Sequence, residues 1–271
     1  MRHVWVMAVV ALASPALGGE GPPDGPVKLR LRTEAGLWFV GVGGELQLPG
    51  GTGRVEMDEL GFDSPNLAPA ARVAVDIGDR WQASLRAAAV SQDETATMER
   101  AGTVGAVSFS PGDTVSSSFD LTQIELEGAY TVHRSPGRDR DGDGRVDFAS
   151  KVDFIAGVRL MDIDWSVDGP GPASAADDTY LMPYIGGALT LRVFERFNIR
   201  VGADAGGLPL GDNTAFSGDV NVAASWDATP NIGLYVGYRS AFFDLSSGEG
   251  DREFAANGAN QGLMIGASLR F

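Results

Sequence analysis

The sequence predicts an all-β chain: a closed antiparallel up-and-down transmembrane β-barrel of about ten strands, within a range of eight to twelve. Three observations predict it. Apolar residues recur at every second position through most of the chain, which is the strand period. The intervening positions carry Gly, Ser, Asn and single charges of both signs. No comparable amphipathic-helix pattern occurs after residue 27, and 37 Gly and 14 Pro punctuate the 271 residues. One barrel domain accommodates this length.

The amino-terminal element is different. Arg2 and His3 precede an apolar run from Val4 to Ala13, and Ser14-Pro15-Ala16-Leu17-Gly18-Gly19 follows. A basic start, a short apolar middle and a small-residue exit read as a secretory signal peptide over residues 1–19. Residues 20–27 form a short periplasmic leader, and 28–271 the barrel. No run reaches the roughly twenty apolar residues a transmembrane helix needs.

The strands are expected at 28–48, 67–78, 81–92, 115–133, 150–165, 179–194, 197–208, 216–228, 232–244 and 260–271. The last is the clearest: Leu263, Ile265, Ala267, Leu269 and Phe271 alternate with Met264, Gly266, Ser268 and Arg270. Phe197, Ile199, Val201, Ala203 and Ala205 oppose Asn198, Arg200, Gly202 and Asp204 in the same way. Strand one loses its phase between Thr33 and Trp38 and strand five between Met161 and Asp164, so a β-bulge is expected in each. Short connections follow strands two, six and eight. Longer ones are expected after strands one, three, five, seven and nine, most clearly near 93–114 and 245–259.

Two features place the apolar face outward, against lipid. The polar face carries Arg72, Asp76, Arg86, Glu125, Glu127, Lys151, Asp153, Arg159, Arg192, Arg200, Asp204, Asp219, Arg239 and Arg270. Arg–carboxylate pairs among small residues suit a narrow lumen better than a solvated face, which would be richer in Lys, Gln and Thr. Aromatic residues also gather at strand ends, as in the girdles of membrane barrels. Trp81, Tyr130, Phe154, Phe194, Phe197, Trp226 and Phe271 fall at the turn end; Trp165, Tyr180, Phe216, Phe242 and Phe243 at the loop end.

The chain closes with Gly266-Ala267-Ser268-Leu269-Arg270-Phe271. With the signal peptide and the alternating strands, this ending resembles Gram-negative outer-membrane β-barrel proteins of the small OmpA/OmpX/OmpW-like build. The resemblance implies short periplasmic turns, longer extracellular loops and a location in the outer membrane. It also implies a carboxy-terminal assembly signal (Gly266, Leu269, Phe271) read by the barrel-assembly machinery. The expected surroundings are outer-membrane lipid and lipopolysaccharide around a monomer.

The formal net charge of −15 argues against nucleic acid as a partner. The absence of Cys removes disulfides, zinc–thiolate sites and cysteine nucleophiles. The only His residues are His3 and His133, one in the signal peptide and one at the turn end of strand four. Glu125 and Glu127 share a face, spaced about 6–7 Å along the strand, but salt bridging to lumen arginines explains them better than catalysis does. No catalytic residue is expected. The one motif with specific chemistry is Asp139-Arg140-Asp141-Gly142-Asp143-Gly144-Arg145-Val146-Asp147. Carboxylates at alternate positions, then a Gly bend, let a chain curl around Ca²⁺. The expected ligands are Asp139, Asp141, Asp143, Asp147 and the carbonyl of Arg145. This stretch resembles EF-hand, dockerin and thrombospondin type 3 loops but has Ser150 where an EF-hand has its bidentate Glu. The expected function is a non-enzymatic outer-membrane barrel, structural or interacting, or a narrow and largely plugged pore. An exported lipocalin-like barrel and a lipid-modifying outer-membrane enzyme are the alternatives.

Overall fold

The structure is a computed structural model and describes residues 29–51, 53–135, 137, 148–194, 196–210 and 213–271. Ten long strands form its wall: β1 Leu29–Gln47, β2 Asn66–Ile77, β3 Trp81–Thr97, β4 Thr114–Arg134, β5 Phe148–Asp168, β6 Ser174–Val193, β7 Phe197–Leu210, β8 Asn213–Asp227, β9 Ile232–Ser247 and β10 Phe254–Arg270. Each pairs antiparallel with its chain neighbours. The sheet closes where β1 meets β10, in register from Arg32↔Arg270 to Gln47↔Ala255. Closure satisfies the edges that lipid could not.

The outer surface follows from the period of two. Leu263, Ile265 and Leu269 on β10 are 56%, 44% and 45% exposed and face outward. So do Leu85 and Leu126, Ile185 and Leu189, Ile199 and Val201, Val220 and Val222, and Leu234 and Val236 on neighbouring strands. A soluble barrel would hide these side chains; here they form a continuous apolar belt. Only about 9–11 residues per strand are needed to cross a bilayer. Strands of up to 21 residues therefore project beyond it.

Close strand approach depends on particular glycines. A Cβ on Gly206 would lie 2.0 Å from the Pro183 carbonyl oxygen, and one on Gly266 would meet the Ala35 carbonyl and the Tyr235 ring. Gly266 thus leaves inward space for Tyr235.

Several expectations fail, for one physical reason. β1 and β5 keep regular registers through 33–38 and 161–164, so no bulge occurs there. The register shift that does occur lies in β4, between Thr131 and His133. The phase changes because the loop-end half of the lumen is itself apolar. Trp38, Val40 and Val42 on β1 and Met161, Ile163 and Trp165 on β5 point inward and are buried. The same core removes part of the expected loop-end girdle: Trp165, Tyr180 and Phe243 lie inside, leaving Phe216 and half-buried Phe242 outside. At the turn end, Trp81, Phe154, Phe194, Phe197, Trp226 and Phe271 are exposed. Tyr130 packs against Trp81 with ring centroids 4.7 Å apart and the planes tilted by 53°. Loop-end connections are also shorter than expected after β5 and β7, because β6 begins at Ser174 and the β7–β8 ladder extends to Leu210↔Asn213. Much of 93–114 and 245–259 is strand as well.

Candidate functional site

The lumen is the site, and it has three tiers. At the loop end, residues 48–51, 53–65 and 98–113 fold over and into the barrel. A short strand at Val55–Glu56 adds to β1, followed by a 3₁₀ turn at Met57–Leu60. Leu48, Met57, Leu60 and Phe62 enter the lumen core. The Gly102–Val104/Val107–Phe109 hairpin adds Val104, Val107 and Phe109. Phe119 and Phe62 pack on Trp165 at centroid distances of 4.2 and 5.3 Å. Burying each large side chain contributes roughly 1.5–3 kcal/mol. Trp38 and Trp165 are fully buried within this cap.

Below the cap lies an ionic tier. The inward residues of β4 from Gln123 to Glu127 are polar: Glu125 and Glu127 meet arginines of other strands, and Gln123 donates to Glu125. Glu125, 2% exposed, accepts from Arg86 Nη1 at 2.9 Å, Arg159 Nε at 3.0 Å and Arg239 Nη2 at 3.1 Å. Arg159 also donates to Asp204 at 2.7 Å and to the Ser217 hydroxyl at 2.8 Å, and Arg239 pairs with Asp219. Arg72 Nη2 donates to Glu127 at 3.1 Å and to Gln82 and Ser84. Two aromatic faces form the boundary between tiers: the Arg239 guanidinium lies 5.0 Å from the Trp38 ring and that of Arg159 4.8 Å from Tyr184.

The third tier is a cavity of about 900 Å³ at the turn end. Among the described residues, eleven of those lining it are Arg or Lys and three are Asp or Glu. Asp76 is 3.6 Å from Arg32 and accepts from Gln82 at 2.6 Å. Asp153 is 3.0 Å from Lys151 and 3.8 Å from Arg200. Arg270 pairs with Asp227, while Arg192 hydrogen bonds only to Asn198 at 3.3 Å among the described residues. At the rim, outside the strands, Arg80 donates to the Tyr130 hydroxyl at 2.9 Å, which raises the guanidinium pKa further.

The structure thus brings together Arg86, Glu125, Arg159, Asp204, Asp219 and Arg239 in one cluster and Arg72 with Glu127 beside it. It sets Arg192, Arg200 and Arg270 apart in the vestibule. The expected set of lumen charges omits Asp227 and Arg32, which lie at strand ends and pair with Arg270 and Asp76. It also misses Trp38, Tyr184 and the apolar cap, whose signal is the phase change in β1 and β5. His133 is exposed at the turn end of β4, opposite Val152 of β5. Of the carboxy-terminal set, Leu269 faces outward, Gly266 faces Tyr235, and the Phe271 N–H donates to the Leu31 carbonyl at 2.9 Å. The expected Ca²⁺ ligands Asp139, Asp141, Asp143, Arg145 and Asp147, and the signal peptide, lie outside the described residues.

No protein-family model matches the chain, and no curated protein matches it. Among solved structures it is similar to the outer-membrane protease OmpT of Escherichia coli, with 11% identity over 89% of this chain and 97% of that one, at a TM-score of 0.50. Neisserial surface protein A matches at 14% identity over 91% and 100% of the two chains, at a TM-score of 0.31. The P. putida toluene transporter TodX matches at 10% identity over 92% and 90%, at 0.33. At these identities the similarity concerns the fold alone. With its closed wall and outward apolar belt, this chain has the ten-stranded fold of Gram-negative outer-membrane β-barrels.

Proposed function

We propose that the protein resides in the outer membrane as a non-enzymatic barrel with a lumen closed toward the outside, serving a structural or interaction role. One observation carries this reading: the loop-end half of the lumen is filled by a packed apolar cap, with Trp38, Phe119, Trp165 and Met182 at 0% exposure. Close packing leaves no path for a hydrated ion there. The turn end faces the periplasm in this reading, so the ionic tier and the vestibule lie below the seal. The outward belt disfavours the lipocalin-like alternative, which requires a water-soluble exterior. Proteolysis is a property of OmpT; here the one histidine beyond the signal peptide is exposed at the opposite end from the loops.

Planar-bilayer recording of the purified protein tests the reading, with heat-modifiable gel mobility and carbonate-resistant membrane association as evidence of insertion. The expected result is an inserted barrel with no unitary conductance. Steady openings from the intact chain overturn it in favour of the pore.

A further inference from the structure

We infer that the turn-end vestibule binds a polyvalent oxyanion of the phosphate class. The wall built by β5, β6 and β7 carries the site. Lys151, Thr190 and Arg200 form one row across these strands, and Ala149, Arg192 and Asn198 the row below it. Lys151, Arg192 and Arg200 face the same space. Asp153 lies 3.0 Å from Lys151 and 3.8 Å from Arg200, so these two cations share one carboxylate, while Arg192 hydrogen bonds to the neutral Asn198 among the described residues. Arg72 lies on the cavity wall with its Nε buried and without an acceptor, as does Arg32. A chain of net charge −15 concentrates positive charge here.

Like charges gathered in a half-enclosed space repel one another, and an anion relieves that repulsion. Guanidinium forks match the paired oxygens of phosphate, which a chloride ion cannot engage. The volume of about 900 Å³ admits more than a single phosphate. The barrel wall is hydrogen-bonded all the way around, including the β1–β10 seam, so access is through the mouth and a soluble anion fits better than a lipid anchored by acyl chains.

Isothermal titration of the detergent-solubilised, folded barrel with inorganic pyrophosphate tests the inference without reference to conductance or orientation in a membrane. Saturable one-to-one binding that weakens steeply with salt is expected. Loss of one charge-assisted contact weakens binding about tenfold, so Arg192→Gln is expected to do so and Arg192→Gln/Arg200→Gln to do more. Arg100→Gln, which removes the loop-end pair with Glu59, should leave binding unchanged. If the double variant fails to fold, as judged by gel mobility, Arg192→Gln alone supplies the comparison. Short-chain phosphatidylglycerol distinguishes the source: failure to displace pyrophosphate identifies a soluble anion, and displacement at lower concentration than pyrophosphate itself identifies a lipid headgroup in the same site. Absence of saturable binding, or equal affinity in wild type and Arg192→Gln, overturns the inference.

Discussion

Replacing Glu125 by Gln keeps its shape and removes its charge, and the consequences follow from its three guanidinium neighbours. Before the change, Arg86, Arg159 and Arg239 are balanced by Glu125, Asp204 and Asp219. Afterwards one positive charge is in excess at positions of which Arg159 and Arg239 are almost wholly buried. Arg159 keeps Asp204 and Ser217, and Arg239 keeps Asp219. Arg86 loses the carboxylate it pairs with, but its side chain is 20% exposed toward the vestibule and can turn to water. Breaking one partner of a buried ion pair costs roughly 3–5 kcal/mol, and the escape open to Arg86 puts Glu125→Gln near the lower end of that range. With a urea slope of about 2–3 kcal/mol/M, the unfolding midpoint in detergent falls by about 1 M. Tryptophan fluorescence reports the transition, because Trp38 lies over Arg239. Adding Arg86→Gln removes the stranded charge and should recover part of the loss, a coupling that a double-mutant cycle measures. A midpoint unchanged by Glu125→Gln, or strict additivity in the cycle, would refute the balanced-cluster account.

Other outcomes follow from the same structure. Gly206→Val forces a side chain against the Pro183 carbonyl and should cost about 1–3 kcal/mol in denaturant titration, whereas a Cβ on Gly41 meets nothing closer than 3.8 Å and Gly41→Ala should be neutral. Asp120, Asp164 and Asp177 stand opposite one another across β4, β5 and β6 on the outer wall, above the apolar row of Ile124, Leu160 and Leu181. Cross-strand like charges destabilise by roughly 0.2–1 kcal/mol, so Asp164→Asn should raise the midpoint at neutral pH and lose that advantage in acid, because partial burial and the neighbouring aspartates raise the pKa of Asp164. A decrease at neutral pH would contradict that reading of the row. For the Asp139–Asp147 stretch, equilibrium dialysis should show one Ca²⁺ bound, with binding lost in Asp141→Asn/Asp143→Asn; no difference between variant and wild type would dismiss the motif.

The wall was legible because lipid imposes a single rule on its outer face. In β10 every outward position from Leu263 to Leu269 is apolar or small, so the alternation survives intact. Glu125 and the arginines around it were legible as charges, but their grouping was not. Arg86, Arg159 and Arg239 are brought together by closure of the sheet, and no local spacing encodes which carboxylate each will meet. The cap was hidden because an apolar residue on a strand carries no label for lipid or lumen. Trp38 and Phe39 are adjacent and both hydrophobic; one is 0% exposed inside and the other 43% exposed outside. Where both faces turn apolar, the period of two vanishes, and a filled lumen looks like a bulge. Strand ends suffered from the same ambiguity, since beyond the bilayer polar residues return to the outer face, as at Asp162 and Asp164.

The apolar stripe of each strand faces lipid while its alternate residues face the lumen. Since the chain contains no Cys, single cysteines at positions 264 and 265 can be labelled with a fluorophore in reconstituted protein and quenched by brominated acyl chains. Ile265→Cys should be strongly quenched and Met264→Cys spared. Quenching at 264 with protection at 265 would contradict the account.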